Sequence, residues 1–102
     1  MLLLSLPSAA ELTAIAAALP DGLIVGLAPA EEVYEARKAV NDFDNCMFAP
    51  ADPDGVIPWR DEFFTVIYAP HLDGVSSEME RVLTTGGSVH LSSSIYTKPN
   101  QA

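Results

Sequence analysis

Basic residues are scarce in this chain: 5 Lys and Arg stand against 14 Asp and Glu, for a net charge of −9. Such a surface repels phosphate backbones and anionic headgroups, so neither nucleic acid nor a membrane surface is an expected partner. Cysteine is nearly absent. With Cys46 alone, no internal disulfide can form, and a reducing, cytoplasmic setting is the expectation. Long apolar runs are missing too: no stretch approaches the roughly 20 residues needed to span a bilayer. The apolar start, residues 1–7, lacks a basic region and is too short for a signal peptide, so it reads as a buried first strand. No phosphate-cradling glycine loop of the P-loop or dinucleotide type is present. Cys46, His71 and His90 do not have metal-ligand spacing, so no metal is expected. No Ser/His/Asp or Cys/His arrangement stands out, although such a triad is set by geometry rather than by order in the chain.

What is present is enough apolar material for a core: 49% of 102 residues, a length that fits one domain over 2–96. A domain of this size buries only about two-thirds of its unfolded surface, so its stability is expected to be modest. Residues 2–6 read as a strand. Ser8 and Glu11 have capping-box spacing and open a helix that runs to about Leu19, with Leu12, Ile15, Ala16 and Leu19 at helical period. Pro20-Asp21-Gly22 ends it with turn chemistry. A second strand over 23–27 leads to a helix over about 30–40. Pro29 suits its first turn, and Glu31 and Glu32 at its start with Arg37 and Lys38 at its end complement the helix dipole. A third strand over 45–49 precedes a Pro/Asp/Gly-rich loop over 50–60. A fourth strand over 63–68 leads to a helix over 75–83, stopped by Gly86-Gly87. A fifth strand over 88–95 alternates apolar and polar residues, as a sheet edge does. Residues 97–102 read as a flexible tail. Strands alternating with helices imply an α/β fold with a mainly parallel sheet and right-handed crossovers.

Three segments together carry a family resemblance. Leu23-Ile-Val-Gly-Leu-Ala-Pro-Ala-Glu-Glu32, followed by Ala36-Arg37-Lys38, resembles the second strand and helix of class I S-adenosylmethionine (SAM) methyltransferases. Asp52 through Ile57-Pro58-Trp59, then Phe63-Phe64-Thr65-Val66-Ile67, resembles their acidic loop and fourth strand. Glu80-Arg81-Val82-Leu83-Thr84-Thr85-Gly86-Gly87-Ser88-Val89-His90-Leu91 resembles their helix end and fifth strand, and is the most specific of the three. The resemblance covers about residues 2–94. It implies a three-layer Rossmann-like methyltransferase core of five mainly parallel strands in order 3-2-1-4-5, with a ligand crevice beside strand one.

By position in the family motif, Ser8, Gly26, Ala28 and Asp52 are the cofactor-side residues. The departures are as informative as the matches. Leu6, Ser8 and Ala10 stand where the family has glycines that let backbone approach the cofactor, and a Leu side chain obstructs that approach. Ala28 replaces the acid that holds the ribose hydroxyls, and Thr65 the acid of strand four. Asp52 matches the adenine-side acid, and also reads as a turn-forming Asp before Pro53. Ser8 also reads simply as a helix cap, with Glu11 beside it disfavouring an anionic group. The last two strands of the family have no counterpart after strand five. His71 and Asp73 follow strand four, where a methyltransferase could place a base; as a pair on a loop they also read as solvated polar residues. Trp59 and Tyr68 are candidates for an aromatic crevice wall.

The expected function is a non-catalytic, methyltransferase-like interaction or scaffold module. It would self-associate as a homodimer through the edge strand 88–95, or bind another protein, and would carry no cofactor. The alternative is a minimal SAM-dependent methyltransferase whose substrate site is completed by a partner subunit.

Overall fold

The structure, a computed structural model, describes residues 1–19 and 21–99. Pro20 and residues 100–102 lie outside the described residues, and with them part of the expected turn at 20–22 and half of the expected tail. The fold is α/β and its strands are mostly parallel. The chain forms two compact units, one of Leu2–Ala51 and one that begins at Asp52 and takes in Met1.

The first unit is built on three parallel strands in the order β3-β2-β1. Strand β1 is only Leu2–Leu3, both fully buried. Strand β2, Ile24–Ala28, lies between the other two, and all five of its residues are buried. A strand covered on both faces needs no polar alternation, which is why Ile-Val-Gly-Leu-Ala reads as an unbroken apolar run. Strand β3, Cys46–Pro50, is outermost and buries only Phe48. Helix α1, Ala9–Ala18, starts where Ser8 Oγ accepts the Glu11 N–H at 3.2 Å. That is the Ser8 half of the expected capping box, and Glu11 returns no bond among the described residues. The other end of α1 is closed from a distance in sequence: Asn45 Nδ2 donates to Ala16 O at 3.1 Å and to Leu19 O at 2.7 Å. Helix α2, Ala30–Ala39, follows Pro29, which lies one position before the first turn as its N-cap. Val33 and Ala36 are its buried residues. Arg37 was expected to serve the helix dipole. Its guanidinium also donates to Phe48 O at 2.7 Å, tying α2 to the outer strand.

The second unit has the strand order β4-β5-β6. Strand β4, Phe64–Tyr68, is parallel to β5. Helix α3 is Ser77–Val82, shorter than the expected 75–83. Ser76 caps it through Oγ on the Met79 N–H at 3.2 Å, and the Ser76 N–H points at Met79 Sδ. The chain then passes without a loop into β5, Leu83–His90. The expected strand over 88–95 is therefore corrected in two ways.

First, Gly86-Gly87 does not stop a helix. It lies inside β5, where the β4·β5 register slips between Phe64↔Leu83 and Val66↔Ser88. Gly86 has φ +81°, which a bulge accepts from glycine at little cost. Second, the segment after His90 turns back. Leu91 N–H donates to Ser94 O at 2.9 Å, and β6, Ile95–Thr97, runs antiparallel to β5 with Ser88↔Thr97, Val89↔Tyr96 and His90↔Ile95. Alternating apolar residues read straight through this turn because both arms of a hairpin keep the two-residue period. Thr97, placed in the tail from sequence, is in β6. Lys98 is anchored by Nζ on Glu80 O and Leu83 O, each at 2.9 Å. Of the strand 88–95 expected to offer an edge to a second copy, Ser88–His90 are paired with β6.

Candidate functional site

The cofactor-side residues fall in both units. Ser8, Gly26 and Ala28 belong to the first and Asp52 to the second. Ser8 is exposed and engaged as the α1 cap. Gly26 is buried in β2 because two side chains press on it. A Cβ built there would meet Phe48 Cδ1 at 2.5 Å, Phe48 Cε1 at 2.7 Å and Leu6 Cδ2 at 2.9 Å. Gly26 is a glycine, then, to admit the chain's own side chains from β3 and from the segment after β1. Ala28 is 4% exposed and has no polar side-chain atom.

Asp52 is exposed, and its carboxylate is already committed. Oδ2 accepts the N–H of Asp54 at 3.2 Å and of Val56 at 3.1 Å, while Gly55 N–H returns to Asp52 O at 3.0 Å with φ +80° at the glycine. This is a self-contained Asx turn, the turn-forming role of an Asp before Pro53.

A SAM molecule in the pose of the resembled family needs a glycine-lined approach after strand one, an acid at the end of strand two and a free acid in the loop after strand three. Leu6 packs on Gly26, Ala28 supplies no acceptor, and Asp52 faces its own backbone. These residues do not fit the group.

His71 and Asp73 share no hydrogen-bond partner among the described residues. His71 is exposed and makes no hydrogen bond among the described residues. Asp73 accepts from Ser92 Oγ at 2.9 Å, and Ser92 N–H donates to Leu72 O at 2.9 Å, so this acid pins the β5–β6 turn. Among the described residues no group of His, Cys, Asp and Glu could hold a metal ion. Cys46 is half-buried, and that burial raises its thiol pKa, away from a reactive thiolate.

Trp59 packs in an aromatic cluster with Phe63 and Phe64. Its ring centroid is 6.5 Å from that of Phe63 and 6.0 Å from that of Phe64. The residue that organises this region is Arg81, which sequence reading took only as part of a motif. Its guanidinium donates to Glu78 through Nε (2.8 Å) and Nη2 (3.0 Å), to Asp61 Oδ1 (2.8 Å), to Trp59 O (2.8 Å) and to Ile57 O (2.7 Å). Glu78 Oε1 also accepts the Ile57 N–H at 3.0 Å. The clasp straps residues 57–61 onto α3. Arg81, and then the Ile57 N–H, hold the Glu78 carboxyl at about 2, far below its ordinary value, and Glu78 and Asp61 push the Arg81 pKa up in turn. The i,i+3 spacing of Glu78 and Arg81 was visible in sequence; the carbonyls of Ile57 and Trp59 were not.

One concave feature of the first unit was not foreseen. A groove of about 330 Å³ runs between α1 and α2. One wall is Leu6, Pro7, Ala9 and Leu12. The other is the α2 face carrying Glu31, Glu32 and Glu35 beside Ala36 and Ala39.

No protein-family profile, no curated protein sequence and no solved structure matches the chain. Among the described residues no helix is long and apolar enough to cross a membrane.

Proposed function

We propose that this chain is a methyltransferase-like domain of Rossmann-like, three-layer ancestry that carries no SAM and works by binding another protein. The observation that carries the reading is the packing of Leu6 and Phe48 on Gly26. Side chains of the same chain occupy the space beside Gly26. The engagement of Asp52 with its own loop supports it independently. An interaction role is supported by the partly apolar groove that the first unit presents. Pairing of Ser88–His90 with β6 counts against recruiting a second copy through that strand.

The test is thermal unfolding of the chain with millimolar SAM and, separately, with its demethylated product. A ligand at about 100 times its Kd stabilises by about 2.7 kcal/mol, roughly 10–20 °C for a domain of this size. The expected shift is none. A shift of that size with either compound would replace the interaction reading with the minimal-enzyme one.

A further inference from the structure

The groove between α1 and α2 has an apolar side and an acidic side. On the α1 side Leu12 is buried at its base, and Leu6, Pro7 and Ala9 are partly or wholly exposed. Helix α1 is apolar nearly all round, and Ala10, Ala14, Ala17 and Ala18 face solvent. A helix of that composition is usually covered. On the α2 side Glu31 and Glu32 are exposed and pair with no cation among the described residues, and Glu35 has only an exposed contact with Lys38 at 3.6 Å. Apolar wall and carboxylate rim thus run side by side along two helices.

We infer that this groove docks a basic amphipathic helical segment of a partner protein, with aliphatic side chains against Leu6, Ala9 and Leu12 and Lys or Arg beside Glu31, Glu32 and Glu35. Charge decides between occupants. A second copy would bring its own −9 charge and its own glutamates to the same rim. Anionic ligands and anionic lipid meet the same repulsion. A neutral apolar segment would leave three carboxylates beside it partly desolvated with no compensation. A segment with apolar residues at i, i+3 and i+4 and cations on the flank satisfies both walls at once. The groove's volume is at the small end of ligand pockets, suited to a few aliphatic side chains rather than to a large cofactor. This inference rests on the interaction reading and names its site and the chemistry of the partner.

The experiment is an amide chemical-shift titration of the nitrogen-labelled full chain with three synthetic peptides of about fourteen residues, long enough to form a helix on docking. One is an amphipathic Leu/Lys helix, the second has Glu for every Lys, and the third is the Leu/Lys composition scrambled to destroy the one-sided face. Saturable shifts centred on Leu6, Ala9, Glu31 and Glu35, with the first peptide at least roughly tenfold tighter than the others, are expected. The triple variant Glu31→Gln, Glu32→Gln, Glu35→Gln should weaken binding roughly 3- to 100-fold. The control Asp21→Asn, Asp42→Asn, Asp44→Asn removes the same charge elsewhere and should change it less than about threefold.

Equal weakening by both triples, equal binding of the scrambled or Glu peptide, shifts centred elsewhere, or no binding at millimolar peptide would each overturn the proposal. So would concentration-dependent shifts at the groove without peptide, which would mean a second copy. Peptide failure with SAM also rejected removes the groove alone; SAM stabilisation with groove binding intact removes only the reading that the chain carries no SAM.

Discussion

Replacing Gly87 by Ala isolates the tertiary constraint that makes β5 irregular. Gly87 is buried, and its φ is not in the left-handed region, so backbone strain is not the issue. The issue is space. A Cβ would stand 2.8 Å from Leu83 Cδ1, 2.9 Å from Thr65 O and 2.9 Å from Thr84 O. The Leu83 methyl can rotate away. The two carbonyls cannot, because Thr65 lies in β4 between residues held by the β4·β5 ladder and Thr84 lies in β5 itself. Inserting a methyl into such a site costs about 1–3 kcal/mol. For a chain of this length that lowers Tm by roughly 5–20 °C. Gly74→Ala is the control. It adds the same methyl where nothing stands within 4 Å and φ is ordinary, so it should be neutral or stabilise by up to about 1 kcal/mol through the unfolded state. Urea unfolding followed by circular dichroism, with the m-value checked for each variant, reads both. Gly87→Ala as stable as Gly74→Ala would refute the close approach of β4 and β5 at the bulge.

Glu78 predicts a pH dependence. Its folded pKa of about 2 lies below the ordinary 4.5, so its contribution to stability is fully present above about 4.5 and is lost as pH falls toward 2. Glu78→Gln should flatten the stability-against-pH curve within that window, and an unchanged slope in acid titrations of urea midpoints would contradict the clasp. Asn45→Ala removes two hydrogen bonds to the last carbonyls of α1 and should cost about 1–2 kcal/mol, read as a lower urea midpoint; a cost below a few tenths would show that solvent caps the helix as well.

How much was legible in sequence varies element by element. Ser8 and the first turn of α1, the unbroken run of β2, the acid-to-base polarity of α2 and the Asp52 turn are local matters, settled within about four residues by capping, period and turn chemistry, and they read correctly. The β5–β6 hairpin did not, because alternation is the same on both arms and the turn is made of serines rather than of Gly or Asn. Gly86-Gly87 misled for a related reason: glycine signals an unusual backbone or a close contact without saying which. Of the candidate site residues, the departures Leu6 and Ala28 could be named from position. That Leu6 lies on Gly26 could not.

The amino-acid order by itself determined the alternation of strands and helices, the acidic balance and the local caps, since each depends on neighbours along the chain. Tertiary structure alone decided that Asn45 closes α1, that Arg37 and Arg81 reach carbonyls 11 and 24 positions away, and that an apolar wall and a glutamate rim face one groove. Those outcomes depend on which distant groups the fold brings within a few ångströms, and a periodicity carries no such distances.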